Sequence, residues 1–212
     1  NDLIEFFGTD ASKIEVIYLG NSMFPKIKVD TNLKTPNKYI LFVGARGGYK
    51  NFERFIKSIS LILNKDENLF VTCAGGGKFT SKELAIFSSL NITDQITQYT
   101  LDDDALASLY QNAQLFVYPS LYEGFGIPIL ESFACQCPLV CSNTSSLAEV
   151  AGDSAYYFDP YNEESMRNSI TKVLEDEFLQ DELRRKGVIR LKKFSWTKTA
   201  AETRSLYESV MK

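Results

Sequence analysis

From residue 39 onward the spacing of apolar positions switches repeatedly between two periods. Tyr39–Val43 is an unbroken apolar run closed by Gly44. Phe52, Phe55, Ile56, Ile59, Ile62 and Leu63 then recur at helical spacing, the stripe of an amphipathic helix. The same alternation predicts strands at Leu69–Cys73, Ile96–Thr100, Leu115–Tyr118, Pro138–Cys141 and Ala155–Phe158. Helices are predicted near Ser81–Leu90, from about Ile127, and near Glu163–Glu175, Gln180–Lys193 and Thr197–Met211. A further helix has Ala105, Leu106, Leu109, Tyr110 and Ala113 as its inner face, and Asp102–Asp104 can cap it. Strand and helix in alternation predict an α/β fold. The expected form is a Rossmann-like, doubly wound parallel sheet of about six strands with helices on both faces. Ligands of such sheets sit where loops leave the carboxyl ends of the strands. Function is therefore sought after Val43, Cys73, Thr100, Ser120 and Ser142.

The first 20 residues fit that repeat less well. Asp2–Phe7 reads as a helix and Ile14–Tyr18 as a lone strand, while 21–37, with two prolines, reads as a linker into a domain spanning 38–212. The first residue is Asn1, so the chain is expected to be a piece of a longer one, and no signal peptide opens it.

Composition narrows the chemistry. With 212 residues and 44% of them hydrophobic, the chain can bury a full core. The net charge of −4 disfavours broad nucleic-acid binding, which needs a basic face. Histidine is absent, which removes histidine-dependent nucleophile triads and histidine-ligated metals. Chemistry here must rest on carboxylates, lysine, arginine and backbone amides. The four cysteines lack zinc-ribbon spacing and read as small buried hydrophobes in a reducing compartment. No run of 18 apolar residues occurs.

Three of the strand-end loops carry candidate groups. In Gly44-Ala45-Arg46-Gly47-Gly48-Tyr49-Lys50-Asn51, two cations flank glycines where a strand passes to a helix. The segment is either an anion site or a glycine-rich turn with solvated charges; it is neither a dinucleotide fingerprint nor a Walker loop. Gly75-Gly76-Gly77-Lys78 admits the same two readings. In Ser120–Glu131, glycines bracket Phe125, Pro128 suits a first helical turn, and Glu123 and Glu131 stand eight positions apart, the second expected in that first turn. Amides near 125–128 can meet a phosphate, whereas carboxylates accept hydrogen bonds from hydroxyls. A diphosphate flanked by two polyols, a nucleotide sugar, satisfies both. The competing reading has Glu131 favouring the helix dipole and Glu123 solvated.

The string VYPSLYEGFGIPILESFACQCPLVCSNTSSLAEVAGDSAYYFDP, with FVGARGGYKNFERF before it and FSWTKTAAETRSLY after it, resembles the carboxyl-terminal half of retaining GT-B glycosyltransferases of family 4. The resemblance covers about 39–212, with IEVIYLGN leading in. It implies that Glu123 contacts the transferred sugar and Glu131 the ribose hydroxyls, as the two members of an E-x7-E motif. Arg46 and Lys50 resemble the cationic pair that stabilises the diphosphate leaving group. Gly44 and the Gly124, Phe125, Gly126 and Ile127 loop would bind sugar and phosphate, and the Gly75–Lys78 turn with Tyr99, Thr100 and Leu101 would meet the base. The resemblance implies that no metal is needed, because fixed cations replace it, and no cofactor, with a UDP- or GDP-sugar as the substrate. The acceptor, a saccharide or lipid-linked saccharide of surface polysaccharide assembly, would bind an absent amino-terminal half. Residues 1–20 resemble a remnant of that half, and the helix 197–212 one that crosses back to it. The resemblance further implies a cytoplasmic protein, with peripheral association at the inner membrane face. Two departures stand out: Ala45 holds the place where many members have arginine, and Asn143-Thr144-Ser145-Ser146 replaces a loop that often has two glycines. Ser145 and Ser146 offer hydroxyls there or cap the helix holding Glu149.

A nucleotide-sugar-binding module without catalysis is the second reading. An oxidoreductase or epimerase is disfavoured by the missing fingerprint and the lack of a Tyr-x3-Lys relay.

Overall fold

The computed structural model describes residues 2–23 and 34–211; most of the expected linker, 24–33, lies outside the described residues. Contacts divide the chain into two units, residues 21–193 and the pair of segments 1–20 and 194–212.

The larger unit contains a parallel sheet of six strands in the order β3-β2-β1-β4-β5-β6. The strands are β1 Tyr39–Val43, β2 Phe70–Ala74, β3 Ile96–Tyr99, β4 Leu115–Tyr118, β5 Leu139–Ser142 and β6 Tyr156–Phe158. Central strands of a parallel sheet are covered on both faces, so they are continuous apolar runs without alternation. Leu41, Phe116 and Val140 are accordingly fully buried. The covering helices are α2 Phe52–Leu63, α3 Ser81–Ser89, α4 Asp103–Asn112, α5 Ile127–Ala134, α6 Ser145–Ala151, α7 Glu163–Leu174 and α8 Glu177–Leu191, with α1 Asp2–Phe7 and α9 Trp196–Val210 in the smaller unit.

The stripe read on α2 packs as its spacing requires. Phe52, Phe55, Ile56, Ile59 and Leu63 are buried. Phe42 of β1 meets Phe52 edge-on at 4.9 Å and stacks on Phe55 at 6.0 Å. Each such ring contributes about 2–3 kcal/mol by leaving water. Caps fix where helices begin: the Asp102 side chain accepts from Ala105 N, and Thr80 forms a capping box with Glu83. The four cysteines are buried free thiols, and burial pushes Cys73 and Cys135 up to about 12.

In the smaller unit α1 and α9 bury no residue. Tyr18 meets Phe194 edge-on at 5.6 Å, and Thr199 Oγ1 donates to the Tyr18 carbonyl at 2.6 Å. The strand expected over Ile14–Tyr18 is absent; a single 3-10 turn, Ala11–Lys13, precedes extended chain. An apolar stretch becomes a strand only with a ladder partner, and no described strand pairs with it.

Candidate functional site

Strand order reverses between β1 and β4, the crevice at which open α/β sheets bind ligands. The loops leaving these two strands are stitched together. Leu121 N donates to the Tyr49 carbonyl at 2.8 Å. Asn51, buried and left-handed at φ 58°, donates to the carbonyls of Pro119 at 3.1 Å and Pro160 at 2.9 Å. Asparagine tolerates that backbone region and keeps its amide for both loops.

On this frame Lys50 from the β1 loop meets Glu123 from the β4 loop, Nζ to Oε1 2.7 Å, with side chains only 15% and 11% exposed. The ammonium also lies 5.4 Å from the centre of the Tyr118 ring. Burial, then the charge of Glu123, pushes the Tyr118 hydroxyl far above its ordinary value, so it stays a neutral donor.

The Glu123 backbone is held by the loop after β5. Ser145 Oγ accepts from Glu123 N at 3.0 Å, and Ser146 Oγ lies 2.8 Å from the Glu123 carbonyl and 3.0 Å from that of Phe125, to which it donates. Thr144 Oγ1 donates to the Leu121 carbonyl at 3.1 Å. Capping was one expected use of these serines; instead Thr144 occupies the N-cap without a side-chain bond to the helix's own N–H groups, and Ser145 sits at φ 52°.

Gly124 is exposed, and Gly126 at φ 105° opens α5, where a Cβ would press on Leu147 and Ile129. Ile127 and Pro128 start the helix, whose first N–H groups lack partners in its own ladder. Glu131 was expected in the first turn but is the fifth residue of α5, one turn further in. There it accepts from the fully buried Tyr110 hydroxyl at 3.0 Å. Burial raises the Glu131 carboxyl above the ordinary glutamate value, against the lowering effect of Tyr110 and with a further rise from Asp103.

The remaining expected residues gather at the ends of β1, β2 and β3. Gly44 N donates to the Ala74 carbonyl and Gly75 N to that of Tyr99, extending the ladder past the strand ends. Tyr99 donates from its hydroxyl to the Lys34 carbonyl at 2.8 Å, Thr100 is exposed, and Leu101 is half-buried. Arg46 and Lys50, expected as a cationic pair, take separate partners. Arg46 turns to Glu83 and to the carbonyls of the Gly75–Lys78 turn. A cleft of about 470 Å³ opens beside Arg46 and Glu83, between the starts of α2 and α3, and does not include Lys50, Glu123 or Glu131. Among the described residues no cluster of three or more Cys, Asp or Glu could hold a metal, and no helix is long and apolar enough to cross a membrane.

The sequence reading missed Glu83, Asn51, Tyr118 and the anchoring role of Tyr110. Only Glu83 left a local trace, because Thr80-x-x-Glu83 has the spacing of a capping box.

The profile of the family described as "Glycosyl transferases group 1" matches residues 23–190. The chain belongs to the group 1 glycosyl transferases. It is 41% identical over 110 residues to O-antigen chain mannosyltransferase B of Escherichia coli, a match covering 52% of this chain and 29% of that protein. It is 32% identical over 170 residues to the serotype-specific mannosyltransferase WbdA of Escherichia coli, covering 78% of this chain and 21% of that one. The chain thus spans only a minor part of these relatives. The solved sucrose-phosphate synthase of Thermosynechococcus elongatus superposes with a TM-score of 0.82 at 21% identity, over 99% of this chain and 55% of that one. A glycosyltransferase from Rickettsia africae gives 0.78 at 19%, over 100% and 61%. At that identity the likeness shows the fold, here the doubly wound sheet the sequence predicts.

Proposed function

We propose that this chain is the donor-binding half of a retaining group 1 glycosyl transferase that moves a sugar from a nucleoside-diphosphate sugar to a saccharide or lipid-linked acceptor. The observation that carries the reading is the Lys50–Glu123 pair set across the reversal point between β1 and β4. Departure of a nucleoside diphosphate builds negative charge, and a fixed ammonium in a largely dehydrated crevice stabilises it without a metal. On this reading Glu123, whose main chain is held by Ser145 and Ser146, accepts hydrogen bonds from the transferred sugar. Glu131, eight residues on along the same segment, accepts from the ribose hydroxyls. Gly44 and the Gly124–Ile127 segment lie beside sugar and phosphate, and the Gly75–Lys78 turn with Tyr99–Leu101 meets the base.

The names of the Escherichia coli relatives support a mannosyl unit as the sugar and polysaccharide assembly as the setting. On this reading UDP or GDP is the leaving group, and the acceptor binds a separate half of the protein. The work is done on the cytoplasmic side, where a lipid-linked acceptor brings the protein to the membrane surface. The test is thermal unfolding of the full-length protein with UDP, GDP, ADP and their sugars. A ligand at one hundred times its Kd stabilises by about 2.7 kcal/mol. A rise with one nucleotide and its mannosyl derivative is expected; no rise with any of them would overturn the proposal.

A further inference from the structure

The guanidinium of Arg46 is consumed by the protein itself. Its side chain is 4% exposed and its Nε donates to Glu83 Oε1 at 2.6 Å. One terminal nitrogen donates to the Gly75 carbonyl at 2.9 Å. The other is shared among the carbonyls of Gly76 at 3.3 Å, Gly77 at 2.9 Å and Lys78 at 3.0 Å. Phe79 lies against the guanidinium at 4.7 Å, with Phe52 at 5.8 Å.

Glu83 is equally committed, because its Oε2 accepts from Thr80 N at 2.7 Å and from the Thr80 hydroxyl at 2.8 Å. Burial pushes its carboxyl up, but the bonds from Arg46 and Thr80 outweigh that and hold it below the ordinary value. The charge of Arg46 is therefore balanced by a carboxylate that is itself anchored to a helix start. Gly75, Gly76 and Gly77 follow one another at φ 88°, 72° and 70°. Consecutive left-handed residues align their carbonyls on one side, and here that side faces a single cation. Without the cation, carbonyls so aligned would repel one another, and glycine has the freest backbone available to escape.

We propose that Arg46 is a positioning residue, one that holds the Gly75–Lys78 turn in the shape that receives the nucleoside, and that Lys50 alone faces the diphosphate. The inference rests on the donor-site reading above but assigns the two cations to different parts of the ligand. Lysine is no substitute for Arg46, since a compact ammonium cannot span a carboxylate and several carbonyls as a planar fork does.

The decisive experiment compares Arg46→Lys, Arg46→Gln and Lys50→Ala in the full-length protein. Calorimetry is run with UDP, GDP and ADP and with uridine, guanosine and adenosine, alongside hydrogen exchange at residues 75–79. Both Arg46 variants are expected to lose about tenfold in affinity for the diphosphate and for its nucleoside alike, with faster exchange in the turn. Lys50→Ala is expected to lose affinity for the diphosphate only. Arg46→Lys keeping diphosphate affinity while Arg46→Gln loses it, with nucleoside binding unchanged in both, would overturn the assignment. If the Arg46 variants do not fold, Glu83→Gln decides: faster exchange at 75–79 supports the positioning role, whereas tighter diphosphate binding means a released Arg46 reaches the phosphates. Should the parent bind none of the six probes, the donor-site reading fails. The exchange measurement then still judges Arg46, and unaltered exchange would sink its role in the turn.

Discussion

Lys50 Nζ and Glu123 Oε1 stand 2.7 Å apart although 73 residues separate them, because the loops that bear them leave adjacent strands of opposite winding direction. Each charge is the other's partner. On the proposed donor-site reading, a diphosphate entering the crevice competes with Glu123 for the ammonium. Glu123→Gln removes that competition and keeps the side chain's size. Nucleoside diphosphate binding by calorimetry should hold or tighten by a few-fold, while sugar transfer by the full-length enzyme falls by at least about a hundredfold. Equal loss of binding and transfer would refute this division of labour.

Lys50→Ala strands Glu123 in the same crevice. Losing a charged hydrogen bond in a largely dehydrated pair costs about 2 kcal/mol. Urea unfolding should show that loss, and Glu123→Ala should match it. Lys50→Ala with Glu123→Ala together should cost less than the two separate losses added, since no unpaired charge remains.

Glu131 carries a pH signature. Its carboxyl is raised in the folded protein by burial, so between the unfolded and folded values the native state binds more protons than the unfolded chain. Stability from this group is full below the unfolded value and falls as pH rises through the folded one. Glu131→Gln has no charge to bury and still accepts from Tyr110. Its melting temperature relative to the parent should therefore climb as pH rises through the carboxylate range; a constant difference would contradict the assignment. If Glu131 takes the ribose hydroxyls as proposed, nucleoside diphosphate binding by the parent should weaken as pH falls through the same raised value.

Ser145 combines a useful bond with an unfavourable backbone. At φ 52° a non-glycine residue is strained by about 1 kcal/mol, and the Oγ bond to Glu123 N returns a similar amount. Ser145→Gly should leave stability within about 0.5 kcal/mol of the parent, whereas Ser145→Ala, strained and unbonded, should lose about 1–2 kcal/mol. Both should lower transfer more than nucleotide affinity, because the Glu123 loop is freed in each. Normal transfer in the glycine variant would mean that the serine does not position Glu123.

The fold was legible because its signals are local. The apolar run Tyr39–Val43 and the stripe from Phe52 to Leu63 each fix an element without outside help, and their order gives the winding. Ile14–Tyr18 misled because its apolar character says nothing about a ladder partner. At the site, the glycines, Lys50, Glu123 and Glu131 were visible as residue types at strand ends. Their partners were not: Glu83 lies 37 residues from Arg46, and Ser145 lies 22 from Glu123. Those contacts exist only once crossover helices bring strand ends side by side, and one sequence holds no record of them.

The glycine turn offers a stability test that needs no ligand. Gly76 and Gly77 have nearly equal φ, 72° and 70°, so alanine meets the same backbone penalty of about 1 kcal/mol at either position. Their surroundings differ. A Cβ on Gly77 would touch nothing within 4 Å, whereas one on Gly76 would lie 2.6 Å from a terminal nitrogen of Arg46. That nitrogen is no loose side-chain end, because its guanidinium is held by Glu83 and the turn's own carbonyls. Gly77→Ala should therefore lose about 1 kcal/mol, and Gly76→Ala about 2–3 kcal/mol because it also dislodges the arginine. Combining Gly76→Ala with Arg46→Gln should cost less than the two single losses added, since both break one contact set. Equal losses at the two glycines, or strict additivity in the double variant, would show that Arg46 does not hold this turn.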